Sequence, residues 1–132
     1  MSLLDDLAAK LVADGVAVLS SNLFLGSKAV IPSGDGPYIS LNETGGVAPT
    51  RVQNKAAANT RRPTVQVLTR AKSYVDAKAK ADAAYASLDG VFNATLNGVP
   101  YIKITARQEP TDMGVDATGL RVMLVFNLDV EK

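Results

Sequence analysis

What most limits the fold of this chain is a run near its end, where Leu120, Val122, Leu124, Phe126, Leu128 and Val130 recur at every second position against mainly polar neighbours. A period of two sets these side chains on one face of an extended strand. Such a strand belongs in a sheet with one dry face, and another layer must cover that face. Earlier segments carry the same pattern. After Pro63, Val65, Val67 and Thr69 share one face while Thr64, Gln66, Leu68 and Arg70 share the other; in Tyr101 to Arg107 the same reading groups Ile102, Ile104 and Ala106. Leu19 to Leu25 and Tyr38 to Leu41 are shorter β-like runs on either side of Ser33-Gly34-Asp35-Gly36-Pro37, whose residues favour a turn, so they are expected to be two strands of a meander. Asn97-Gly98 predicts a tight turn before Pro100, and Pro110 to Gly119 is read as the connection into the last strand.

Two segments carry the helical period instead. Leu3, Leu4, Leu7, Ala8, Leu11 and Val12 form an apolar stripe that stops at Gly15, opened by Ser2 and Asp5 in a capping-box-like arrangement. Ser73 is placed to cap a second helix with the stripe Tyr74, Ala77, Ala81, Ala84, Tyr85 and Leu88, an Asp76–Lys80 pair at i,i+4, and a stop near Gly90. Its many alanines allow close approach to a sheet. Between these elements, Glu43 to Arg62 follows neither period and reads as a long mobile loop; loops of that length in small domains are commonly functional. The expectation is an α+β fold, a mainly antiparallel β-sheet with two α-helices packed on one face and a long mobile loop, forming a single domain over residues 1–132.

Composition narrows the chemistry. Histidine is absent, which removes the usual general base near neutral pH, the Ser/His and Cys/His nucleophile pairs and the commonest transition-metal ligand. Cysteine is absent too, so neither disulfides nor thiolate metal sites are available. Glu109, Asp112 and Asp116 are three acids among turn residues, off the spacing of a calcium loop, and are read as solvated; no metal and no cofactor is assigned. The glycines at 26, 34, 36 and 45 match no phosphate-binding loop, and the triplets at Asn42 and Asn93 are read as structural. The first residues carry Asp5 and Asp6 where a signal peptide would carry positive charge, and no apolar run is long enough to span a bilayer, so a soluble, untargeted chain is expected.

Net charge is only +1, but it is unevenly spread. From Thr44 to Val75 there is no acid, while Arg51, Lys55, Arg61, Arg62, Arg70 and Lys72 supply six positive charges. Such a strip can attract nucleic acid or complement the acidic remainder of another copy. No aromatic lies between Thr44 and Ser73 to stack on bases, which argues against direct base readout. Arg51, Lys55, Arg61 and Arg62 therefore have two readings, a solvated loop or an oligomer or tube interface.

Several segments together resemble the tail terminator family of long-tailed bacteriophages and phage-like particles, also known as minor capsid proteins. They are Leu3-Leu4-Asp5-Asp6-Leu7, Asn22-Leu23-Phe24-Leu25-Gly26, Leu41-Asn42-Glu43-Thr44-Gly45-Gly46, Arg62-Pro63-Thr64-Val65-Gln66-Val67 with Arg70-Ala71-Lys72-Ser73-Tyr74, and Gln108-Glu109-Pro110 leading to Gly114-Val115-Asp116-Ala117-Thr118-Gly119. The resemblance implies a non-enzymatic virion protein that forms a ring, usually a hexamer, at the tail end nearest the head, after assembly in the bacterial cytoplasm. That ring would cap the tail tube, terminate tail polymerisation and provide the head–tail joining surface. Its partners would be other copies of itself, the major tail tube protein and a head-completion or connector protein, with DNA passing through the lumen without sequence-specific binding and no membrane involved. It also implies that the loop from Glu43 to Arg62 orders at the ring interface or against the tube. The competing readings are a neighbouring head-completion or tail tube protein, a small nucleic-acid-binding module argued from the basic strip, and a small enzyme argued only from surface carboxylates.

Overall fold

The computed structural model describes residues 3–19, 22–26, 36–47, 61–115 and 121–132. Helix α1 spans Leu3–Ala13 and helix α2 spans Tyr74–Leu88. The strands are β1 Leu23–Leu25, β2 Tyr38–Val47, β3 Arg62–Ala71, β4 Val91–Leu96, β5 Val99–Ala106, β6 Thr111–Val115 and β7 Val122–Glu131. They form one sheet in the order β1-β2-β3-β7-β5-β4, with β6 also paired to β7. All pairings are antiparallel except β1 with β2. This is the expected α+β architecture.

The alternation in β3 and β7 has the consequence foreseen for it. Val65 lies opposite Leu128, Val67 opposite Phe126 and Thr69 opposite Leu124, and all six are buried. Ile39 and Leu41 on β2 continue this face, and Ile104 on β5 extends it through Val130. Leu3, Leu7 and Leu11 of α1, three and four residues apart, and Ala84 and Leu88 of α2 close the same core. Nearer the start of α2, Ala77 and Ala81 meet Ala71 and Leu124. With no side chain beyond Cβ, these alanines let the helix axis lie close to the sheet. Ser73 caps α2 as expected, its hydroxyl accepting from the Asp76 amide at 3.2 Å. The i,i+4 ion pair on this helix is Lys78–Asp82 at 3.0 Å, not the anticipated Asp76–Lys80; Lys80 instead reaches the Val16 carbonyl beyond α1.

Other expectations need correction. β1 and β2 are parallel and not a meander, because the twelve residues between Leu25 and Tyr38 are enough for the chain to return to its starting end. Gly36, in that connection, has φ 76°, and a Cβ there would lie 2.6 Å from the Arg70 carbonyl oxygen, so the backbone approach requires glycine. β4 and β6 were not anticipated. β4 is joined to β5 by the Asn97-Gly98 turn, both residues at positive φ, as a two-residue hairpin demands. In β5, Tyr101 and Ile104 are buried, whereas Ile102 is 43% exposed and does not share the dry face. Asn93, at φ 49°, and Ile102 drop out of the β4–β5 register, and β5 meets β7 only from Lys103 onward. β6 continues beside β7 where β5 leaves it, with a register shift between Asp112 and Val115. The expected loop is also shorter at both ends: β2 runs to Val47 through a bulge between Glu43 and Gly46, and β3 begins at Arg62.

Candidate interaction surface

Of the four cations singled out in the sequence, Arg51 and Lys55 lie outside the described residues, as do residues 48–60 generally. Arg61 and Arg62 stand at the entry to β3. Their position is fixed by the ladder: the Arg61 amide donates to the Lys132 carbonyl at 2.7 Å and the Lys132 amide donates back at 2.9 Å, while Arg62 pairs with Val47. They are therefore part of the sheet, although the sequence placed them in a loop. Both are exposed.

The face of the sheet turned away from the helices is polar at this end. Thr64 stands opposite Asp129, Gln66 opposite Asn127, and Lys103 opposite Glu131. The Thr44 and Thr64 hydroxyls share a hydrogen bond of 2.7 Å across the bulge. Arg62, Thr44, Thr64, Lys103, Arg107, Asp129, Val130 and Glu131 line a cleft of about 500 Å³. Two cross-strand pairs occupy its carboxylates. Arg107 grips Asp129 with Nη2 at 2.6 Å and Nε at 3.4 Å, and Lys103 lies 3.8 Å from Glu131. The hydrogen bond to Asp129 raises the already high Arg107 pKa further. Lys103, Arg107 and Asp129 are about half exposed and Glu131 less so, and pairs this open to water contribute little to stability. Their effect is to leave the corner with a cationic excess, since Arg61, Arg62, Lys103, Arg107 and Lys132 outnumber Asp129 and Glu131. The described lining of this cleft is a surface of paired charges and hydroxyls.

A second surface was missed in the sequence. All of β6, Thr111 to Val115, is exposed, including Met113 at 57% and Val115 at 56%. It borders β7 on one side, and among the described residues no strand lies beyond it. Asp112 accepts from the Gly114 amide at 2.7 Å, which holds the bulge. Glu109 precedes it, near the Lys78–Asp82 pair of α2. The available signal was the pair of apolar residues, Met113 and Val115, inside a segment otherwise read as a turn. Among the described residues, no group of three His, Cys, Asp or Glu side chains could hold a metal ion, and no helix is long and apolar enough to cross a membrane.

The chain matches the family described as bacteriophage tail terminator protein over residues 10–131. Among solved structures it is similar to a chain of the virion of a native gene transfer agent particle, with 23% sequence identity, a TM-score of 0.58, and coverage of 99% of this chain and 96% of that one. At that identity the likeness establishes the fold. No curated protein matches.

Proposed function

The chain belongs to the bacteriophage tail terminator family, a family of structural virion proteins, and from that premise we propose that it closes as a ring on the growing tail tube, ends polymerisation and offers the head its joining surface. The observation that carries this reading is the family match across residues 10–131, which takes in both sheet edges and the basic corner. The physical character of the surface supports it. Function by contact needs exposed, chemically mixed faces on a rigid frame, and the frame here is a seven-stranded sheet covered by two helices.

The ring is six copies, about 83 kDa from the 13.8 kDa chain, closed by a heterologous contact repeated around an axis. Arg51, Lys55, Arg61 and Arg62 contribute to the contact with the neighbouring copy or the tube. The tube protein lies on one side and a head-completion or connector protein on the other, at the tail end nearest the head. DNA passes through the lumen without base readout, and neither catalysis nor a cofactor is involved. Deleting the gene from its particle and measuring tails by electron microscopy tests this reading. Tails of uncontrolled length without heads are expected; normal tails joined to heads would remove the proposal.

A further inference from the structure

We propose that the open edge of β6 and the basic corner at Arg61–Arg62 are the two halves of the contact between successive copies. This inference rests on the ring reading above and names its interface.

β3 pairs with β7 along its length on one side, and β6 pairs on the other side only at the Val122–Val125 end, so the Arg61–Arg62 start of β3 and the β6 edge lie at opposite ends of β7. Asp112 is level with Leu124, whereas Arg61 is bonded to Lys132, eight residues further along. At about 3.3 Å per residue the two patches are ~26 Å apart. They cannot neutralise each other within one chain.

Their chemistry is complementary. Glu109 and Asp112 bring negative charge to β6, whereas at the corner Arg61, Arg62, Lys103, Arg107 and Lys132 outnumber Asp129 and Glu131. The β6 edge, beyond which no strand lies among the described residues, also presents Met113 and Val115, apolar side chains that gain by leaving water. Two different, mutually complementary patches on diagonal corners are the requirement of a head-to-tail contact. A symmetric dimer would instead need one patch complementary to itself. The charge match thus identifies the occupant of the β6 edge as a second copy of this chain.

Charge exchange tests the assignment on the full chain. One variant carries Glu109→Lys and Asp112→Lys, the other Arg61→Glu and Arg62→Glu. Alone, each sets like charges against each other at every contact, and the concentration needed for assembly should rise at least about tenfold. Mixed in equal amounts, the two should assemble as an alternating ring, since each junction again joins opposite charges. Native mass spectrometry reads all three samples, with circular dichroism as the folding control. If Asp112→Lys disturbs the bulge, Glu109→Lys alone carries the same test. Wild-type rings accompanied by variants that each assemble normally would overturn the interface and leave the ring standing; so would folded variants that stay monomeric when mixed. Aggregation on loss of the acids, with rings intact, would show that they merely guard an edge strand. A wild-type chain that is monomeric at every concentration would overturn both.

Discussion

Asp6 illustrates what a local reading cannot reach. In the sequence it is one of two acids in the first turn of an amphipathic helix, a position that suggests a solvated charge near the positive end of the helix dipole. In the fold it is 1% exposed, accepting from the Tyr101 hydroxyl and, at 3.3 Å, from Asn97 Nδ2. The Tyr101 partner is 95 residues away, so only the folded sheet brings the two together. The bond joins α1 to the β4–β5 hairpin. Burial, and then the hydrogen bond to Asp6 and its charge, hold the Tyr101 phenol well above its ordinary value. The sign follows: the folded state keeps the proton that an unfolded tyrosine releases near about pH 10. Stability from this group is complete below that pH and is lost as pH rises through and beyond it. Denaturant unfolding from pH 8 to 11.5 should show an alkaline fall, at most about 1.4 kcal/mol per pH unit from one proton, and Tyr101→Phe should make that fall shallower. An unchanged slope would detach Tyr101 from it. Asp6→Ala, which leaves a buried hydroxyl without its acceptor, should cost about 1–3 kcal/mol at neutral pH by the same assay.

Helices α1 and α2 and strands β3 and β7 were legible because each sets a row of its most deeply buried residues on one face, so that this row follows the period. α2 allows this to be checked twice. Ser73→Ala removes the acceptor for the Asp76 amide and should cost about 1 kcal/mol. Ala81→Leu forces three extra carbons between the helix and Leu124, where Ala81 has no exposed surface, and should cost about 1–3 kcal/mol through overpacking. Thermal unfolding followed by circular dichroism reads both; a tolerated Ala81→Leu would mean that the helix lies farther from the sheet than its alanines indicate. The elements that were not legible fail the same criterion. β6 is exposed along its whole length, so no dry face marks it, and Gly114 with the bulge disguises it as a turn. β4 holds one buried residue, Leu96, and is broken by Asn93 in a left-handed conformation. The parallel sense of β1 is a property of the return path, not of Leu23, Phe24 or Leu25 themselves. The candidate interface divided along the same line: the basic corner was visible as a charge pattern, whereas its acidic counterpart was classed as solvated turn because its strand was not recognised.

For the assembled particle, the decisive substitution is Arg51, Lys55, Arg61 and Arg62 together by Ser. The described part of the fold should persist. Arg61 and Arg62 are exposed, and their place in the ladder depends on backbone groups that serine also possesses. Surface changes of this kind usually stay within about 0.5 kcal/mol each. Assembly should not persist unaltered, because a charge desolvated at an interface leaves its partner buried and unpaired when it is removed, at a cost of about 2–5 kcal/mol. The Arg61–Arg62 half acts against the β6 edge of the next copy in the interface proposed above, so the loss is repeated at every junction of the ring. Single substitutions should do little by comparison, since one missing charge among several is partly compensated by its neighbours. Electron microscopy of particles carrying the fourfold variant should find tails of uncontrolled length, or tails of normal length that fail to join heads, while circular dichroism of the purified chain retains the wild-type spectrum. Normal tails joined to heads would return these four residues to the role of a solvated face. Loss of the folded spectrum would mean that their side chains support the sheet directly.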